Sequence, residues 1–198
     1  FMMQQNPVEF YNLGKLGIIG MKGCEDIAKK IDMHLKKFNE NSMPNIESFL
    51  IPTNCPRFGT GEAKAVISHS VRTYDIYIIV DPFNYGVTYN MYGAEHPMSP
   101  DDHYQDLKRV ISALGGKPKR ITVIMPMMYE GRQHRRIARE SLDCAMMLQE
   151  LSNMGVDNFL TFDAHDSRVQ NAIPLKSFEN VRPTYQMIKA LSLIHISE

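Results

Sequence analysis

The run Arg120-Ile-Thr-Val-Ile-Met125 closes at Pro126, and the run Asn158-Phe-Leu-Thr-Phe162 closes at Asp163-Ala-His165-Asp166. Between them lies an arginine-dense segment, Glu130-Gly-Arg132-Gln133-His134-Arg135-Arg136-Ile-Ala-Arg139. A helix-patterned segment follows, with Leu142, Ala145, Met146 and Leu151 on one stripe and Gly155 as its stop. Apolar run, helix, apolar run is the pattern of two parallel strands joined by a crossover. Such strands end on one rim, and open α/β sheets bind ligands at that rim. The cations of 132–139 then face the Asp163/His165 pair, which is the layout of a polyphosphate-plus-metal site.

The rest of the chain extends the same alternation. Leu16-Gly-Ile-Ile19 reads as a buried strand, and Ile27, Ala28, Ile31, Leu35 and Phe38 give a helix over Cys24–Phe38 with its lysines outward. Residues 39–45, polar and holding Pro44, read as a loop. Ser48-Phe-Leu-Ile51 reads as a second strand, the alternation over Ala63–Ser68 as a third, and Asp75–Val80 as a central parallel strand. Pro82–Met98 has three tyrosines, two glycines and little periodicity, and it is expected to be a packed surface insertion without regular structure. Ser99-Pro100-Asp101-Asp102 opens a helix with Tyr104, Leu107, Ile111 and Leu114 on its stripe, stopped by Gly115-Gly116. Pro183 starts a last helix over Tyr185–Leu191. The expected fold is α/β, a mainly parallel sheet with helices on both faces.

A chain of 198 residues with 43% hydrophobic and 22% charged residues can bury one core. Its zero net charge gives no global attraction for nucleic acid or an anionic membrane. Cys24, Cys55 and Cys144 lack metal-ligand spacing, and so sparse a set suits a reducing cytoplasm. No apolar run approaches the ~18 residues of a membrane-spanning helix. The chain starts at Phe1 and stops at Glu198 soon after its last helical pattern opens, so it reads as a piece of a longer protein with 193–198 as a non-native tail.

Three sets of residues carry chemistry. Guanidinium groups offer paired donors matched to phosphate oxygens, and Arg132, Arg135, Arg136 and Arg139 fall within one short segment. That segment precedes a helix, whose free N-terminal amides add to anion binding; the same residues also read as a solvated basic loop or a nucleic-acid patch. Asp163 and His165 suit an ion that takes its remaining ligands from phosphate and water, or else a turn cap and a hydrogen-bond donor. Phe58, Thr60 and Glu62 put a ring, a hydroxyl and a carboxylate in one bend, fit for a purine or simply for a packed turn. The chain has neither a phosphate-binding Gly-x-x-x-x-Gly-Lys-Ser/Thr loop nor Gly-x-Gly-x-x-Gly, and Ser68-His69-Ser70 has no acid nearby for a hydrolytic triad.

From Leu16 to Leu191 the pieces resemble the N-terminal half of ribose-phosphate pyrophosphokinase (phosphoribosyl diphosphate synthetase). The resemblance runs through Arg57-Phe58-Gly-Thr60-Gly61-Glu62, Val71-Arg72-Thr-Tyr-Asp75-Ile-Tyr-Ile-Ile, Arg120-Ile-Thr-Val-Ile-Met-Pro126, Arg132-Gln133-His-Arg-Arg136, Leu160-Thr-Phe-Asp163-Ala-His165, Val169-Gln170 and Ile173-Pro174. It implies transfer of the diphosphoryl group of Mg-ATP to the anomeric hydroxyl of ribose 5-phosphate by a cytoplasmic homo-oligomer. It implies that Arg132 and Gln133 contact ATP, and that Phe58, Thr60 and Glu62 border the adenine of a neighbouring subunit. It further implies that His165 holds Mg²⁺ with Asp163 close by, and that Arg135, Arg136 and Arg139 belong to a loop that closes over the phosphates. Residues 1–192 would be the ATP-binding domain, with the insertion at 82–98, and the ribose-phosphate-binding domain would lie outside this chain.

The sequence departs from the family pattern at several points. Thr60 stands where an acid or amide is usual, and His134 stands in place of Asp. Asp166 and Arg168 replace a small residue and a glutamine, and the tract Asn171–Lys176 is altered. A catalytically silent homologue that binds nucleotide and regulates an active synthetase is the alternative expectation.

Overall fold

The computed structural model describes residues 14–39 and 47–195, with side chains through Ser192. In chain order the elements are β1 (Leu16–Gly20), α1 (Glu25–Asn39), β2 (Thr53–Asn54), β3 (Val66–Ile67), β4 (Asp75–Ile79), β5 (Thr88–Met91) and β6 (Ala94–Pro97). They continue with α2 (Pro100–Leu114), β7 (Arg120–Ile124), α3 (Asp143–Asn153), β8 (Asn158–Phe162), a 3₁₀ turn (Ser167–Ala172), β9 (Ser177–Val181) and α4 (Thr184–His195). The main sheet has the order β1-β4-β7-β8-β9, and every pair in it is parallel.

β4 lies between β1 and β7 because it is apolar on both faces, with Ile76 and Ile78 pointing one way and Ile79 the other. One face carries the larger core, where Ile19, Ile78 and Val123 pack with Leu107, Val110 and Leu114 of α2 and Met147, Leu148 and Leu151 of α3. On the other face Ile18 and Ile79 meet Ala28, Ile31 and Leu35 of α1. Gly20 permits that approach, since a Cβ there would lie 2.7 Å from the Ala28 Cβ. Helices therefore cover both faces, as the alternation of apolar runs predicts. The buried carboxylate of the sheet is paired: Asp75, at the start of β4, accepts from the Arg120 Nε at 2.9 Å and from a second guanidinium nitrogen, across directly registered positions of β4 and β7.

The local starts and stops follow from the sequence. The Ser99 hydroxyl accepts from the Asp102 amide at 3.2 Å while Asp102 accepts from the Ser99 amide at 2.9 Å, a reciprocal cap for α2. Gly115 ends the helix in the left-handed region at φ 57°. In α1, Glu25 and Asp26 occupy the first turn and Lys36 and Lys37 the last, each complementing the helix dipole.

Four expectations change. Ile27 and Phe38 are exposed, and the buried stripe of α1 instead contains Asp32, which accepts from the Phe49 amide at 2.7 Å. The strand over 48–51 shrinks to one parallel bridge, Ile18 to Leu50, flanking β1; Pro52 brings no amide to extend it. The strand over 63–68 is only β3, paired antiparallel with β2. Residues 88–97 form a hairpin where no regular structure is expected, turning at Tyr92 and Gly93 with φ 50° and 82°. β9 adds a further strand and α4 runs to His195. The loop at 39–45 lies outside the described residues apart from Asn39, which closes α1, and of the 193–198 tail only the backbone to His195 is described.

Candidate functional site

The ends of β7 and β8 stay paired past the strands. The Met125 amide donates to Leu160 O at 2.9 Å and the Phe162 amide to Pro126 O at 3.2 Å. Two segments therefore leave the sheet side by side, the arginine loop after Pro126 and the acidic turn after Phe162. Asp163 adopts φ 49° and its amide donates to Val181 O, while the Ala164 amide donates to the Asn180 side chain at 3.0 Å. β9, which the sequence does not announce, thus fixes the turn that carries His165.

The loop and the turn meet. The imidazole of His134 lies against that of His165, with ring centroids 4.9 Å apart and planes inclined at 40°. Its Nε2 is 3.5 Å from Asp166 Oδ2, and both side chains are nearly covered. Asp166 also accepts from the Arg168 amide at 2.9 Å and from its guanidinium at 2.6 Å. The Arg168 hydrogen bonds, aided by the nearby His134, hold the Asp166 carboxyl far below the usual carboxylate range. His134 and Asp166 are signalled in the sequence only as departures, and no periodicity links residues so far apart.

Around this contact the four loop arginines, Arg132, Arg135, Arg136 and Arg139, are exposed. Among the described residues none of their guanidinium groups has a protein partner, and neither does the Asp163 carboxylate. The base of the loop is acidic. Burial raises the Glu130 carboxyl above its ordinary range, and the charges of Asp143 and Asp101 add to it. Tyr129, stacked on Tyr104 at 4.5 Å, donates to Asp101 at 2.5 Å and ties the loop to the start of α2. In the first turn of α3 the Cys144 amide is taken up by Gln133 O at 3.3 Å, and Asp143 at the helix start brings a negative charge.

The Phe58 bend lies elsewhere. The Phe58 amide donates to Glu62 O, Thr60 donates to Glu62 Oε2 at 3.1 Å, and the Tyr92 amide donates to Gly59 O at 2.8 Å. Gly61, at φ 90°, leaves room for Met91, whose sulfur would be 2.7 Å from an added Cβ. The hairpin and the bend are thus one packed unit, with Phe58 half exposed. No hydrogen bond, ion pair or ring contact among the described residues joins this bend to the arginine loop or to His165.

Among the described residues, no group of three or more His, Cys, Asp or Glu side chains is placed to hold a metal ion. An all-protein cage is therefore missing, whereas one imidazole and one unpartnered carboxylate suit an ion that shares phosphate oxygens and keeps water. No helix among the described residues is long and apolar enough to cross a membrane.

Comparison with known proteins agrees with the fold. The family model described as the N-terminal domain of ribose phosphate pyrophosphokinase matches residues 16–155. Ribose-phosphate pyrophosphokinase 1 of Schizosaccharomyces pombe is 31% identical over 116 residues, 58% of this chain and 25% of that protein. The ribose-phosphate pyrophosphokinase of Buchnera aphidicola (subspecies Acyrthosiphon pisum) is 28% identical over 148 residues, 69% of this chain and 42% of that protein. The crystal structure of phosphoribosylpyrophosphate synthetase from Mycobacterium smegmatis superposes with a TM-score of 0.70 at 18% identity, covering 93% of this chain and 54% of that one, and so shares the fold. The chain thus spans between a quarter and about half of these relatives. Because the family model covers well over half of its residues, the chain belongs to the ribose-phosphate pyrophosphokinase family, whose N-terminal domain it matches.

Proposed function

We propose that this chain is the nucleotide-binding part of a ribose-phosphate diphosphokinase, which transfers the diphosphoryl group of ATP to ribose 5-phosphate. The observation that carries the reading is the His134–His165 contact, which sets an unpaired arginine loop beside the Asp163–His165 turn at the ends of adjacent parallel strands. Arg132 and Gln133 contact ATP in this reading, and Arg135, Arg136 and Arg139 gather over its phosphates. Bidentate donors of this kind lower the energy of a transition state whose charge spreads over phosphoryl oxygens.

His165 and Asp163 would hold Mg²⁺ together with the phosphates, and the ion when bound supplies charge neutralisation on the transferred group. Residues 1–192 act as the ATP-binding domain, and turnover needs the portion of the relatives that this chain does not span. In a cytoplasmic homo-oligomer, Phe58, Thr60 and Glu62 border the adenine held by a neighbouring subunit, a reading supported by the half-exposed ring of Phe58.

Calorimetric titration with Mg-ATP tests the reading. Wild-type chain binds, and Arg132→Ala and His165→Ala each weaken binding by about tenfold or more, the scale of one lost charge-assisted contact. Equal affinity in all three proteins would overturn it.

A further inference from the structure

Apart from Arg132 and its companions, one polar set joins the two segments of the site. His134 extends from the arginine loop, Asp166 and Arg168 from the segment after His165, and the three meet although α3 and β8 separate them in the chain. Each of the three departs from the family pattern, and together they form a continuous chain of contacts. The Arg168 guanidinium donates to both Asp166 oxygens, at 3.0 Å and 2.6 Å, and fixes the carboxylate. The fixed carboxylate sits 3.5 Å from His134 Nε2, while the same imidazole meets the His165 ring at a tilt of 40° with centroids 4.9 Å apart. The arginine loop itself is held sparsely. Its backbone hydrogen bonds tie Gln133 to Glu130 and Cys144, and from Arg135 to Arg139 its only hydrogen bond among the described residues is that of the Ile137 amide to Glu140.

From this arrangement we infer that His134 is a positioning residue: anchored by Asp166 and Arg168, its ring docks the arginine loop on the Asp163–His165 turn before any nucleotide arrives. The inference rests on the nucleotide-binding reading for its purpose and on geometry alone for its existence. A loop seated in advance loses less freedom when it meets phosphate, so part of the ordering cost of binding is removed. The ring's Nδ1 lies 3.1 Å from Arg132 O within the loop, and its two contacts outside the loop have different roles. The tilted contact with His165 sets the depth of the loop, and the approach to Asp166 sets its direction.

The test has two arms on the full chain. In the first, amide hydrogen exchange is followed over residues 132–140 without ligand, for wild type, His134→Ala, Asp166→Asn and the double variant. Asp166→Asn keeps an oxygen for the Arg168 amide, so the 3₁₀ turn persists. Exchange in this segment accelerates about tenfold in either single variant and no further in the double, the non-additivity expected of two residues in one contact. The thermal midpoint stays that of wild type. His134→Gln, which keeps a donor but no ring, restores part of the protection.

In the second arm, Mg-ATP titration shows the His134→Ala affinity reduced by about fivefold to tenfold, a loss on the scale of one polar contact. Wild-type exchange over 132–140 in His134→Ala, or acceleration spread over the whole chain, overturns the inference. Unchanged Mg-ATP affinity in a His134→Ala protein whose loop has been freed overturns its role in binding. Failure of the wild type to bind Mg-ATP counts against the proposed function, and the exchange arm still decides whether the dock exists.

Discussion

The Arg57 guanidinium donates to the buried Asp106 carboxylate at 2.8 Å, joining the bend that carries Phe58 to the middle of α2. The same guanidinium lies 4.5 Å over the Tyr89 ring of the hairpin and donates to Gly61 O at 3.1 Å. One side chain thereby connects bend, hairpin and helix. Arg109 meets the other Asp106 oxygen at 2.6 Å, so a single carboxylate compensates two cations.

Removing that carboxylate should therefore be costly. Asp106→Ala leaves Arg57, itself almost fully covered, without its counter-charge, and breaking a buried pair in this way costs about 3–5 kcal/mol. Urea unfolding of the variant should show a midpoint far below wild type. Arg57→Lys should fail to preserve stability, because a point charge cannot reach Asp106, Gly61 O and the Tyr89 face together. A wild-type midpoint for Asp106→Ala would show that the ion pair does not hold the bend.

Asp32 makes stability depend on acid. Burial by itself would raise its carboxyl, but the Lys36 side chain, the Phe49 amide and the Ser48 hydroxyl together bring it below its ordinary value of 3.8. A carboxyl whose folded value lies below its unfolded value stabilises the fold above the unfolded value, and that contribution disappears as pH falls through the folded value. Asp32→Asn should accordingly cost about 1.5–3 kcal/mol near pH 7, the range for lost charged hydrogen bonds. The gap between wild type and variant should close below about pH 4, where the unfolded carboxyl also takes up its proton. A gap that does not vary between pH 7 and pH 3 would contradict this role.

How much of this the sequence discloses depends on where the stabilising contacts lie. β4, β7 and β8 are legible because strands covered on both faces must be apolar almost throughout, and α2 is legible because its cap is written in four consecutive residues. β9 escapes because an edge strand of Ser177-Phe-Glu-Asn-Val181 lies half in solvent and mixes polar with apolar residues. The hairpin escapes because its strands pack on the Phe58 bend and on Arg57 rather than on the core, so they carry no clean alternation. Tyr92-Gly93, a pair able to turn a two-residue hairpin, was the available signal. In the site, the arginine loop and Asp163-Ala-His165 stand out by composition. The contact of His134 with His165 and Asp166 exists only once β7 and β8 are neighbours, and one-dimensional spacing holds no record of it.

The central claim is that the arginine loop and the Asp163–His165 turn grip one metal–nucleotide complex together. Nuclear magnetic resonance of the histidine rings with Mn²⁺ replacing Mg²⁺ tests it most directly, because the ion broadens only nearby nuclei. With ATP present, the account predicts that His134 and His165 broaden first, ahead of His34, His69, His96, His103 and His195, and that neither is singled out in Arg132→Ala. Broadening centred on any of the other five, or equal broadening of all seven with ATP bound, would contradict it.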